Sequence, residues 1–240
     1  MPPHGQGCRL IWFPAPSAEI KASELFQAFT GEEPDVVRKN KNPSPSNPMT
    51  FTAEGDVEEF KVALGQQPGR IELSLTPNPQ AENIRIPLID LSRGLDFFER
   101  ALTRVNDIPD AIRLSCVVNR YKEAESLEDL RSIFYNVIGF ESAIPEAIDL
   151  AFQINRRTKF SNVLGNRVTT INVLETQNIR MVGSSIPEFT TEYGLGTMYD
   201  FNTVPDSNVL SAIDQKRVFM EIFTSIKKAL ASDDLSFLKE

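Results

Sequence analysis

The sequence predicts an α+β fold of mainly antiparallel sheet packed by amphipathic helices, with a long C-terminal helix. Two observations predict it. Apolar residues alternate with polar ones through short runs joined by loops of hairpin length, the pattern of half-buried antiparallel strands. Elsewhere they recur at steps of three and four, the pattern of helices with one buried face. Strands follow strands, without the regular alternation with helices that builds a parallel sheet.

Arg9 to Phe13 reads as a first strand, and residues 1–7, which show no period, as a disordered leader. Ser17 is placed to cap a short helix carrying Ile20, Leu25, Phe26 and Phe29, ended by Thr30 and Gly31. Residues 31–48 hold Pro34, Pro43, Pro45 and Pro48 among Arg38, Lys39 and Lys41 and read as an exposed loop.

From Met49 the period becomes two: Met49 and Phe51, then Phe60, Val62 and Leu64, then Ile71, Leu73 and Leu75, then Ile84, Ile86 and Leu88. The segment Gly65-Gln66-Gln67-Pro68-Gly69 joins two of these runs into a hairpin. Leu91, Leu95, Phe98, Leu102 and Val105 lie on one helical face, and Pro109 ends that helix. Ile112, Leu114, Cys116 and Val118 return to alternation. Their opposite face, with Arg113, Ser115, Val117 and Asn119, is not fully polar, so a covering element is expected there.

Ser126 and Asp129 stand at capping-box spacing before Leu130, Ile133, Phe134, Val137 and Ile138, and Gly139 ends that helix. Strands are expected over Ile148–Ile154, Val168–Leu174, Ile179–Val182 and Tyr193–Phe201. Asp206 or Ser207 should cap the last helix, with apolar positions Leu210, Ile213, Phe219, Met220, Phe223, Ile226 and Leu230. The chain reads as a single domain over 1–240, compatible with two similar halves at about 9–140 and 141–235, although no residue-level repeat supports the division.

Composition narrows the class. The chain has 240 residues, 41% hydrophobic and 24% charged, enough for a sizeable core. A net charge of −8 argues against general nucleic-acid binding, because cationic side chains supply most of that affinity. The apolar run Leu10 to Phe13 is too short for a signal-peptide core, and no stretch approaches the roughly 20 apolar residues that span a bilayer. A cytoplasmic protein is expected, with Cys8 and Cys116 as reduced, buried thiols.

No constellation demands a particular chemistry. The single histidine, His4, sits in the leader, which removes Ser-His and Cys-His pairs and histidine-rich zinc sites. There is no phosphate-binding loop, and Gly194-Leu195-Gly196 reads as a strand interior crossed closely by a neighbouring side chain. Asp35 with Glu59 and Lys61 outlines a metal-dependent nuclease, but Pro-Asp and Glu-x-Lys recur elsewhere, and a solvated strand face gives the same pattern. Arg156, Arg157, Lys159 and Arg167 form the candidate binding patch, basic in an acidic chain. Phe97 with Phe98, and Ile222 with Phe223, widen two helical faces, so these helices are either buried on two sides or await a partner.

The leading expectation is a non-enzymatic protein-interaction module or complex subunit, with a protein partner or self-association and no membrane. Nucleic acid would enter only through a local basic patch. The alternatives are a Mg-dependent nuclease or phosphoryl-transfer enzyme and a small-ligand or lipid carrier. No catalytic residue, metal ligand or cofactor is assigned.

Overall fold

The computed structural model describes residues 2–16, 22–46, 48–78, 86–138, 150–182, 186–205 and 209–232. In chain order the elements are β1 (His4–Pro14), α1 (Ala22–Thr30), β2 (Val36–Lys39), β3 (Phe51–Val57), β4 (Phe60–Gln67), β5 (Arg70–Pro77), β6 (Ile89–Asp90), α2 (Leu91–Arg104), β7 (Ala111–Ala124), α3 (Leu127–Ile138), β8 (Ala151–Phe160), β9 (Val163–Val182), β10 (Ile186–Thr203) and α4 (Ala212–Ala231). The strands form one ten-stranded sheet ordered β2-β3-β4-β5-β1-β7-β10-β9-β8, with β6 paired to β1 off this path. Every pairing is antiparallel.

One order of elements runs twice. A strand, a helix and a meander are followed by a second helix, and the last meander strand returns to pair with the first strand: β5 with β1, and β10 with β7. The two runs join through β1 and β7, where Leu10 faces Cys116 and Trp12 faces Leu114. In chain order the second run begins with β7, after α2.

Alternation decides which side of each strand meets the helices. Leu10, Trp12, Leu64, Leu73, Leu114 and Phe201 are almost fully buried in one cluster with Phe26, Leu95, Phe98, Phe219 and Phe223 of α1, α2 and α4. Trp12 lies 5.3 Å from the rings of both Phe29 and Phe219. A second cluster sets Leu130, Phe134 and Tyr135 of α3 on Ile171 and Leu195. Leu195 is an even number of residues from Phe201, so α3 covers the same face as the other helices. Phe97, Phe98, Ile222 and Phe223 are all buried, and Phe98 stacks on Phe223 at 6.4 Å. The breadth of those helical faces is therefore taken up within the chain.

The helix ends follow side-chain chemistry. Asp90 caps α2, accepting from Ser92 N at 2.9 Å and Arg93 N at 3.3 Å. Ser126 Oγ accepts from Asp129 N at 3.1 Å, while the Asp129 carboxylate accepts from Glu125 N, one residue before the cap. The β4–β5 hairpin turns on Pro68 and Gly69 between the paired Gln67 and Arg70, and Gly69 holds φ +72°, which glycine adopts without a Cβ penalty.

Several expectations are corrected. The first strand begins at His4, so residues 4–7 are paired with Asp90, Ile89 and β7 rather than forming a disordered leader; Gly5 and Gly7 break the apolar alternation that would have marked them. Residues 36–39 inside the expected 31–48 loop form an edge strand whose four side chains are all exposed, which erases any one-sided pattern. Residues 86–88 are not a strand, because Pro87 lacks an N–H for the ladder; pairing resumes at Ile89. The two strands expected near 168–174 and 179–182 are one, β9. Ser211 caps α4, several residues later than expected. Leu210 instead bridges Ala111, and Ile213 is 70% exposed. Ser17, Ile20, Ile84, Gly139, Ile148, Asp206 and Ser207 lie outside the described residues.

Candidate binding face

With α1 to α4 on one side, no described helix covers the other face of the sheet. The odd-numbered side chains of β1, Arg9, Ile11 and Phe13, point to this open face, as do Arg70, Glu72 and Ser74 of β5 and Arg113, Ser115, Val117 and Tyr121 of β7. Among the described residues no helix lies over Arg113, Ser115, Val117 and Asn119. Side chains pack among themselves there. Ile11 is 5% exposed, Val117 4% and Ser115 2%, although no described helix lies on this face.

Three local arrangements order the polar side chains of this face. Arg113 places its guanidinium 5.0 Å from the centre of the Phe13 ring, a cation over an aromatic face. Arg9 and Arg70 share Glu72, with Arg9 at 3.6 Å and Arg70 in direct hydrogen-bonded contact. Across β7, β10 and β9, Ser115 Oγ donates to Asp200 Oδ1 at 2.7 Å, Asn202 Nδ2 donates to the same oxygen at 3.0 Å, and Asn166 Nδ2 donates to Asn202 Oδ1 at 2.9 Å. Such a chain of one hydroxyl and two amides leading to one carboxylate holds the polar side chains in fixed positions.

The basic residues singled out in sequence do not form one patch, because neighbours on a strand point to opposite faces. Arg156 and Arg167 are register partners on the helix side, where Arg167 donates to Ser225 Oγ at 3.2 Å and lies 6.0 Å from the Phe201 ring. Arg157 and Lys159 point to the open face, opposite Asn166 and Leu164. The structure thus keeps half of the patch together and adds Arg9, Arg70 and Arg113, which are remote in sequence. Only their alternation with buried residues hinted at this face.

The remaining candidates are engaged elsewhere. Glu59 sits on the β3–β4 turn and pairs with Arg93 of α2 at 2.7 Å, while Lys61 faces Asp56 across the ladder and Asp35 accepts from Asp56 N at 3.0 Å. Among the described residues, no three His, Cys, Asp or Glu side chains gather as metal ligands would. Cys8 and Cys116 are free and buried, and burial pushes both thiols well above the usual range, away from reactive thiolate. Tyr121 crosses Gly194, which is the reading the glycines suggested. A cleft of about 560 Å³ beside β1 and the end of α4 is lined by Pro2, Leu88, Arg120, Lys122 and Leu230 rather than by Phe and Ile. Among the described residues no helix is long and apolar enough to cross a membrane.

Comparison of the chain with protein-family models, with curated proteins and with solved structures finds no match.

Proposed function

We propose that this protein is a non-enzymatic protein-interaction module, or a subunit of a larger complex, whose recognition surface is the open face of the sheet. One observation carries the reading. Across the four central strands β5, β1, β7 and β10, the open face carries Arg9, Arg70, Arg113, Phe13, Tyr121 and Met198 and no lysine. Arginine, aromatic residues and methionine are the types enriched where proteins meet, and lysine is depleted there. Among the described residues the helix faces are filled by the chain's own core and expose isolated apolar residues such as Ile213. The reading includes a cytoplasmic setting, which the two unpaired buried thiols fit.

Site-specific photocrosslinking in the host cell tests it. A photoreactive residue at Asn119 or Thr170, on the open face, is expected to give discrete crosslinked protein species, whereas one at Thr224, exposed on α4, is not. Equal products from both sides, or none from the open face, would overturn the assignment of the surface.

A further inference from the structure

We infer that one end of the open face docks an acidic, partly apolar segment of a partner protein; this rests on the open face being the recognition surface. The register lines up residues distant in sequence. Arg38 of β2, Glu72 of β5, Ile11 of β1, Ser115 of β7 and Arg157 of β8 occupy one row across the sheet. The row beyond it, toward the β4–β5 and β8–β9 turns, holds Arg70, Phe13, Arg113, Leu164 and Lys159. Five cations and a single carboxylate thus form a band at this end, in a chain whose net charge is −8.

The ion pairs leave much of that charge uncompensated. Arg38 meets Glu54 of the adjoining row at 3.6 Å, and Arg70 shares Glu72 with Arg9. Among the described residues, Arg113, Arg157 and Lys159 have no carboxylate within ion-pair distance. Arg113 is also held in place against Phe13, so little side-chain freedom is lost when it contacts a partner.

Spacing and apolar content select the class of partner. Arg70 and Arg113 are two strands apart and Arg113 and Lys159 three, or about 10 to 14 Å at the usual inter-strand distance. Carboxylates every second turn of a helix recur at about 10.5 Å. Between the cations lie Phe13 and Leu164, and Leu164 is 49% exposed directly opposite Lys159. An acidic amphipathic segment satisfies both the charges and the apolar side chains. A nucleic-acid backbone, with a phosphate about every 3.4 Å along each strand, asks for denser cations and would meet the repulsion of the whole acidic chain.

The test uses the full chain and three labelled probes: a helical peptide of Leu, Ala and Glu long enough to cross the band, about 24 residues, the same peptide with Glu replaced by Gln, and oligothymidylate. Fluorescence anisotropy at low salt is expected to show the Glu peptide binding about tenfold more tightly than its Gln counterpart. Arg113→Gln and, separately, the edge-strand pair Arg157→Gln with Lys159→Gln should each weaken it several-fold. The edge pair carries the test should Arg113→Gln unfold the protein. Equal binding of the two peptides, absence of binding, or indifference to these substitutions overturns the inference, as does tighter binding of oligothymidylate, which would make nucleic acid the occupant. Crosslinks from Asn119 with no preference for the Glu peptide would sink this inference alone and leave the recognition surface standing.

Discussion

Tyr121 lies across the backbone of Gly194 on the neighbouring strand, its hydroxyl donating to Tyr193 O at 3.2 Å. A Cβ built on residue 194 would overlap the phenol ring. The glycine in the middle of β10 is therefore the seat of an aromatic side chain on the open face.

Replacing Gly194 by Ala forces Tyr121 off its seat and should cost about 1 to 3 kcal/mol, as overpacking does. The Gly194→Ala/Tyr121→Ala double variant should be more stable than the sum of the single changes predicts, because the clash disappears with the ring. Urea denaturation of the four proteins checks it; strict additivity would refute the contact.

The Tyr121 phenol is shifted upward, by burial first and then by the charges of Glu192 and Glu123. Its neutral form is favoured in the folded protein, so the contribution is fully present below the unfolded value near 10 and fades as pH rises through the higher folded value. Alkaline difference absorbance should show a late-titrating tyrosine phase to which Tyr121 contributes, and Tyr121→Phe should diminish that phase.

Phe219 links the helical layer to the centre of the sheet, 5.3 Å from Trp12 and 6.0 Å from Phe223. Phe219→Ala should cost about 3 to 5 kcal/mol. The sole tryptophan, Trp12, should emit at short wavelength in the native protein and shift to the red in the variant. An unchanged midpoint would mean that α4 does not pack where described.

Lys227 of α4 reaches Asp96 at 2.8 Å and Glu99 at 2.7 Å on α2. Burial pulls its pKa down, but the hydrogen bonds and charges of the two carboxylates outweigh this and leave it raised. The contribution is complete below the unfolded value near 10.4 and is lost as pH rises through the folded one. Partly exposed, the cluster is worth little: Lys227→Met should cost about 0.5 to 1 kcal/mol at neutral pH and less in high salt, measured by thermal unfolding.

Much of the architecture is legible in local pattern. The steps of four and three from Leu91 to Val105 mark α2, and the alternation in Phe60–Leu64 and Ile71–Leu75 marks the β4–β5 hairpin, because each pattern is produced by one element facing one core. The edge strand β2 leaves no such trace, since both of its sides meet water. The candidate face is illegible for a different reason. Alternation tells which way Arg113 or Arg157 points, but only the non-local register through β1, β10 and β9 brings them to one surface and sends Arg156 and Arg167 to the other.

Thiol accessibility tests most directly whether the face is open. Cys8 and Cys116 are buried and should resist a maleimide dye until the protein unfolds. Cysteines placed at Ser74 and Thr170, half-buried on the open face, should label in the folded protein nearly as fast as one at Thr224 on the outside of α4. Labelling as slow as that of the native thiols would mean that another layer covers this side of the sheet, and the account of a free recognition surface would fail.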